Sequence, residues 1–126
     1  MGSIIFYSIL ALVVVWFFYS QFVGIKGLSE LDSVSFEQAL SENTSHTLID
    51  VREQSEVKQG KIKGAINIPL GQISGRLNEI PKNKPLFLYC RSGMRSKQAA
   101  KILIANGYDQ VNHLKGGIIS WKFKLL

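Results

Sequence analysis

The chain has 126 residues, which is enough for one domain of about 100 residues and one short additional segment. Its 15 lysine and arginine residues outnumber its 9 aspartate and glutamate residues, and 14 of those 15 lie at or after Arg52. This basic part suits a small anionic substrate or the surface of an anionic membrane. Nucleic-acid binding is not expected, because the sequence has no basic stripe with interleaved aromatic residues and no motif of a reading helix.

The N-terminal segment is strongly apolar. Residues 2–25 contain no charged side chain, and residues 9–18 are apolar without interruption. A helix of about 20 residues spans about 30 Å, which matches the hydrocarbon core of a bilayer. The sequence therefore predicts a transmembrane anchor over residues 1–25, with residues 4–23 in the membrane, followed by one domain over residues 26–126.

Two other interpretations of this segment agree less well with the sequence. A cleaved signal peptide would need a basic start, but no basic residue precedes Lys26, and residues 20–24 make a poor cleavage site. A core helix of so small a domain would not be apolar on all sides. Lys26 is the only basic residue near either end of the span, which favours a cytoplasmic domain, and a free thiol suits a reducing compartment. We therefore predict a single-pass membrane protein whose domain faces the cytoplasm.

Beyond the anchor, short apolar runs alternate with segments of helical periodicity. Strands are predicted at residues 31–34, 47–50, 65–67, 86–89 and 111–114. Helices are predicted from an N-cap at Ser35 to residue 40, between residue 50 and Gly60, at 73–80, from about Ser96 to Gly107, and in a short last segment near Trp121. This alternation predicts an α/β fold, an open parallel sheet with helices on both faces, preceded by one transmembrane helix.

The only cysteine of the chain, Cys90, directly follows the apolar run 86–89. A loop in this position lies at the carboxyl end of a parallel strand, where open α/β sheets bind ligands. Gly93 allows the backbone to turn its N–H groups inward, the next helix directs its positive dipole end at the loop, and Arg91 and Arg95 add two positive charges. Such a setting favours a nucleophilic thiolate, whereas the alternative is a small buried apolar cysteine.

The segment from Cys90 to Ser96 resembles the active-site loop of a single-domain, rhodanese-type sulfurtransferase. Other segments agree in the order of that family: residues 48–53, residues 64–69, and the pair Gly116 and Gly117 shortly before Trp121. The resemblance covers about residues 30–122. One departure is Lys61, because the family often has a histidine at this position.

The resemblance implies sulfur transfer by covalent catalysis. The Cys90 thiolate would attack the outer sulfur of a donor such as thiosulfate, sulfite would leave, and a thiol or cyanide would accept the sulfur from the Cys90 persulfide. The backbone N–H groups of the loop would hold the anionic sulfur, its arginines would attract the donor, and its serines could donate hydrogen bonds. The predicted substrate-binding residues are Arg91, Ser92, Gly93, Met94, Arg95 and Ser96.

Asp50 and Arg52 have a structural role in the resemblance, in which both brace the Cys90 loop. From the residues alone, Asp50 could also cap the following helix, with Glu53 at the spacing of a capping box. No cofactor and no metal are expected, because His46 and His113 are isolated in the sequence and each is interpreted as a satisfied or exposed histidine.

Two other functions remain as alternatives. A cysteine phosphatase needs an arginine six positions after the cysteine, but that position is Ser96 and Arg95 comes one residue early. A membrane-tethered module that only carries sulfur to a protein partner, or binds one, would share the cysteine chemistry. The sequence does not identify such a partner.

Overall fold

A computed structural model describes residues 1–22 and 25–126. The helices are α1 (Gly2–Phe22), α2 (Ser33–Glu42), α3 (Gln54–Val57) and α4 (Met94–Ala105), and the strands are β1 (Leu28–Leu31), β2 (Thr47–Asp50), β3 (Ile66–Asn67), β4 (Leu86–Tyr89) and β5 (Val111–Leu114). Three short 3₁₀ helices cover Leu70–Gln72, Ser74–Glu79 and Ile118–Ser120.

The five strands form one sheet in the order β1-β5-β4-β2-β3, and every neighbouring pair is parallel. The predicted α/β fold with an open parallel sheet is therefore confirmed. β4 lies in the middle of the sheet, so the loop that follows it is flanked by the ends of β2 and β5. This is the edge at which open parallel sheets bind ligands.

Two apolar cores cover the two faces of the sheet. Side chains alternate along β4, so that Leu86 and Leu88 pack with α4 on one face while Phe87 and Tyr89 pack with α2 on the other. Every residue of β4 is buried, as expected for a strand that has helices on both sides.

The N-terminal helix α1 is exposed over residues 2–20. It is the one helix of the described residues that is long and apolar enough to cross a membrane, and it lies near the N-terminus, where a signal sequence would have the same properties. Val23 and Gly24, which the sequence prediction includes in the anchor, lie outside the described residues.

The first strand and helix of the domain begin earlier than the sequence predicts. β1 covers Leu28–Leu31 instead of residues 31–34, and α2 begins at Ser33 with Asp32 as its N-cap. The carboxylate of Asp32 accepts the Ser35 N–H at 2.8 Å, so Ser35 lies inside the helix and does not cap it. The prediction was wrong because it used Val34 as a strand residue, whereas that side chain is exposed on α2.

Three helical segments also differ from the sequence prediction. α4 begins at Met94, two residues before Ser96, because Gly93 supplies the left-handed conformation from which the helix starts directly. α3 ends at Val57, so Gly60 lies beyond it, after a short turn. The apolar spacing over residues 73–80 corresponds to 3₁₀ turns interrupted at Arg76 and not to one α-helix.

Candidate active site

The Cys90 loop, residues 90–96, connects the end of β4 to the first turn of α4. Cys90 is fully buried on the α4 side of the sheet, and its thiol is the only one in the sequence. Because the cysteine has no exposed surface, a reagent reaches Sγ only when the surrounding loop shifts.

Gly93 brings a backbone donor to the thiol. Its φ of +102° is a left-handed conformation that glycine adopts readily, and it directs the Gly93 N–H at Cys90 Sγ, with an N···S distance of 3.0 Å. The Ser96 hydroxyl lies 3.6 Å from the same sulfur. The Ser96 oxygen accepts the thiol, and the free N–H groups and positive dipole end of the 12-residue helix α4 adjoin the Gly93 donor. The arrangement stabilises negative charge on sulfur.

The turn after β5, which contains Gly116 and Gly117, packs directly against the Cys90 loop. Beyond this turn, the Ile118 N–H donates to the Cys90 carbonyl at 2.9 Å and the Ile119 N–H donates to the Arg91 carbonyl at 3.3 Å. A Cβ at Gly117 would lie 2.2 Å from the Arg91 oxygen, so only a glycine fits at this position. The double-glycine turn therefore fixes the backbone of the loop from outside.

Asp50 and Arg52 form a buried ion pair beside the site, with 2.6 Å between Arg52 Nη2 and Asp50 Oδ2. Arg52 Nη2 also donates to the carbonyl of Gly60 at 2.7 Å. The alternative in which Asp50 caps the next helix is wrong, because Glu53 is the N-cap of α3 and forms the capping box with Glu56. The buried pair ties the end of β2 to the segment after α3.

Arg95 forms a two-point ion pair with Glu56. Its two terminal nitrogens lie 2.6 and 2.9 Å from the two oxygens of the Glu56 carboxylate. The hydrogen bonds from Arg95 lower the pKa of Glu56 to about 2. The pair connects α3 to the first turn of α4. The Arg95 guanidinium, which the sequence predicts to bind substrate, is therefore already paired with the Glu56 carboxylate.

In the part of the chain that the structure describes, two cavities are lined by residues of the Cys90 loop. One has a volume of about 330 Å³ and is lined by Arg52 and Arg91 together with the apolar Ile118 and Ile119. The exposed Arg91 supplies a cation here that forms no ion pair with any residue that the structure describes.

The other cavity has a volume of about 260 Å³ and is lined by Ser92, Gly93, Met94 and His113, with Lys97 and Lys115 at its edge. Ser92 and Met94 are exposed, so the structure brings neither side chain to the sulfur, and only their backbone belongs to the loop around it. Lys61, the departure from the family pattern, pairs through its backbone with Leu126.

His113 is a residue of this site that the sequence analysis did not assign to it. It is 2% exposed, lies on β5, and its Nδ1 is 2.8 Å from Ser96 Oγ. Alternation along β5 places His113 on the same face as Val111, which is the face of Cys90, and this pattern could have revealed it. His46, in contrast, is partly exposed and contacts the edge of the Phe87 ring.

Metal binding finds no support among residues 1–22 and 25–126, where no group of three or more histidine, cysteine, aspartate or glutamate side chains is arranged to hold an ion.

Comparison with known proteins identifies the family. The family model described as the rhodanese-like domain matches residues 34–124. A protein of Allochromatium vinosum named sulfurtransferase is 43% identical over 94 residues, which are 75% of this chain and 88% of that protein.

Solved structures agree with this match. The structure of a rhodanese-like domain protein from Staphylococcus aureus is 31% identical, with a TM-score of 0.70, and the match covers 78% of this chain and 96% of that one. The reduced CoADR-RHD protein of Bacillus anthracis is 40% identical, with a TM-score of 0.65, over 72% of this chain but only 16% of that longer one. The chain described here belongs to the rhodanese-like family.

Proposed function

We propose that this protein transfers a sulfane sulfur from thiosulfate or a persulfide donor, through a persulfide on Cys90, to cyanide or a thiol. Membership of the rhodanese-like family and the relative named sulfurtransferase support sulfur transfer in general. The observation that carries the specific proposal is the Gly93 N–H directed at Cys90 Sγ at 3.0 Å, in front of the helix α4. This donor stabilises both a thiolate and the sulfur anion that replaces it.

The reaction has two displacement steps. In the first, the Cys90 thiolate forms a bond to the outer sulfur of thiosulfate, the bond between the two sulfur atoms of thiosulfate breaks, and sulfite leaves with the electron pair. In the second, cyanide or a thiolate attacks the outer sulfur of the persulfide, and the Cys90 thiolate is regenerated. Because the sequence holds no second cysteine, the acceptor comes from outside the chain.

Charges near the loop support an anionic donor. Arg91 and Arg52 line the cavity of about 330 Å³ beside the Cys90 loop, and Arg91 is exposed. A donor anion in this cavity would meet Arg91 first. Arg95 would join it only by leaving Glu56, so its contribution to donor binding is the weaker of the two.

The intact mass of the protein after incubation with thiosulfate tests the proposal. We expect the addition of one sulfur atom that dithiothreitol removes, and thiocyanate formation when cyanide is added. A Cys90→Ser variant with an unchanged circular dichroism spectrum should show neither. Sulfur transfer by the folded serine variant would contradict the assignment of Cys90.

The same measurements separate an enzyme from a sulfur carrier. Repeated turnover with small acceptors would support the enzyme, whereas one stable sulfur per chain that no small thiol or cyanide removes would favour the carrier module. Hydrolysis of p-nitrophenyl phosphate is not expected, because the arginine of a phosphate-binding loop is missing at Ser96.

We further propose that α1 anchors the domain in a membrane, with the Cys90 loop on the cytoplasmic side. The length and composition of Gly2–Ser20 and the position of Lys26 support this. The full chain should stay with membranes at alkaline pH, whereas a chain that begins at Lys26 should be soluble and active. Release of the full chain by alkali, or loss of activity on truncation, would contradict the anchor.

A further inference from the structure

A chain of hydrogen bonds leads from the thiol through the interior to a surface carboxylate. Cys90 Sγ lies 3.6 Å from Ser96 Oγ, which lies 2.8 Å from His113 Nδ1, and His113 Nε2 lies 3.2 Å from Glu30 Oε1. The first three residues are buried, and Glu30 is partly exposed. Cys90 directly follows β4, the other three residues lie on α4, β5 and β1, and the strand order brings them together.

The partners of His113 determine its tautomer. Hydrogen bonds from Lys97 and from His113 lower the pKa of Glu30, so its carboxylate is charged. It therefore accepts a hydrogen bond from the Nε2–H group of His113. Nδ1 of the neutral ring then carries the lone pair and accepts the Ser96 hydroxyl at 2.8 Å, a shorter contact than the 3.1 Å from the same hydroxyl to the Gly93 carbonyl. Ser96 Oγ in turn keeps a lone pair for the Cys90 thiol. In this arrangement, every donor in the chain of hydrogen bonds points from Cys90 toward Glu30.

We infer that His113 is a positioning residue of the sulfur-transfer site, which takes up the Cys90 thiol proton through Ser96 and is held for that role by Glu30. This inference rests on the proposed function only for its consequence in turnover. The geometry concerns the thiol itself, whatever sulfur donor is used.

The proton that leaves the Cys90 thiol stays within this chain of hydrogen bonds. The thiol proton moves to Ser96 Oγ while the hydroxyl proton moves to His113 Nδ1, so that a neutral thiol and a neutral ring become a thiolate and an imidazolium ion. The hydroxyl of Ser96 then donates to the thiolate. After attack on the donor the negative charge remains on the persulfide, so the imidazolium keeps its proton until the thiolate returns.

The charged groups around His113 include some that favour and some that oppose its protonated form. Burial lowers the pKa of His113, and the hydrogen bond to Glu30 partly opposes this effect, so the resting ring is neutral and free to accept a proton. Lys97 on α4 pairs with Glu30 at 3.0 Å, and Lys115 lines the same cavity after β5. The charge of Lys97 opposes a positive charge on His113, and the Glu30 carboxylate is the group that supports the imidazolium.

The test is the pH dependence of the alkylation rate of Cys90 by iodoacetamide, measured on the full chain in detergent. The decisive variant is His113→Gln, because glutamine can still bond to Ser96 but cannot take up a proton. Glu30→Gln removes the supporting charge at a partly exposed position. His46→Gln is the matched control, because it removes the other histidine, which lies away from the site.

We expect the profile of His113→Gln to move to higher pH by about one unit or more, which is about tenfold in rate on its rising part, with recovery at alkaline pH. Glu30→Gln should move it in the same direction by less, and His46→Gln should leave it unchanged. Coincident profiles for His113→Gln and the parent would overturn the inference. If His113→Gln does not fold, Glu30→Gln decides in the same way.

The intact-mass experiment with thiosulfate is independent of this result. A displaced alkylation profile in a protein that takes up no sulfur would refute the proposed function and leave the role of His113 toward the thiol intact. Sulfur uptake with an unmoved profile would refute only the role of His113.

Discussion

The substitution Gly117→Ala tests how far the double-glycine turn determines the position of the Cys90 loop. Gly117 has a φ of +69°, a region that other residues rarely adopt. An alanine Cβ at this position would lie 2.2 Å from the Arg91 oxygen, 2.3 Å from the Arg91 carbonyl carbon and 2.6 Å from the Ser92 nitrogen. All three are backbone atoms, so no side-chain rotation relieves the overlap.

The expected loss of stability in Gly117→Ala has two parts. With φ +69° and ψ −168°, Gly117 lies in an extended region that only glycine adopts readily, and this conformation costs an alanine about 1–3 kcal/mol. Displacing packed atoms costs about 1–3 kcal/mol more. Gly64→Ala is the control for a positive φ without steric overlap, because Gly64 has a φ of +88° and nothing lies within 4 Å of its added Cβ.

Urea unfolding of both variants measures these free energies. We expect Gly117→Ala to lower the free energy of unfolding by about 1–3 kcal/mol more than Gly64→Ala does. Gly117→Ala should also reduce sulfur transfer about a hundredfold, because a shift of the loop moves the Gly93 N–H away from Cys90 Sγ. Gly64→Ala should keep the activity of the parent.

Equal losses of stability in the two variants, with activity retained in both, would refute this reasoning. Such a result would mean that the loop adapts to the turn without strain. The Gly93 donor would then be held by α4 alone.

Three further predictions concern the ion pair and the loop. The Glu56 carboxylate has a pKa of about 2 in the folded chain against an ordinary 4.5, so its stabilisation is complete above pH 4.5 and is lost as the pH falls toward 2. Urea unfolding at pH 7 and pH 3 should show a smaller acid loss in Glu56→Gln, by about 1 kcal/mol for this partly exposed pair, and identical losses would exclude the pair as a source of stability. Arg91→Ala should raise the KM for thiosulfate more than Arg95→Ala, and equal increases would show that Arg95 leaves Glu56 to bind the donor. A glycine inserted between Gly93 and Met94 should reduce sulfur transfer by about a hundredfold because the N–H donors lose their register with the sulfur, and an insertion variant as active as the parent would show that loop length does not set the chemistry.

The sequence by itself determined the fold class and the position of Cys90 at the end of a buried central strand. Both depend on local information: apolar runs of strand length alternate with helical periodicity, and Cys90 ends the most apolar of those runs beside Gly93. The boundaries of β1 and α2 were not determined in this way. Asp32 and Ser35 are both residue types that cap helices, and only the structure shows that Asp32 begins α2, with Val34 exposed on that helix.

The tertiary structure alone decided which side chains meet at the site. Arg95 contacts Glu56, which lies 39 residues away in the sequence, and His113 contacts Glu30, which lies 83 residues away in the sequence. Contacts of this kind depend on the strand order β1-β5-β4-β2, which places segments that are distant in the sequence side by side. Residue type and spacing along the chain do not predict that order. His113 is therefore isolated in the sequence, although it lies two hydrogen bonds from the thiol in the fold.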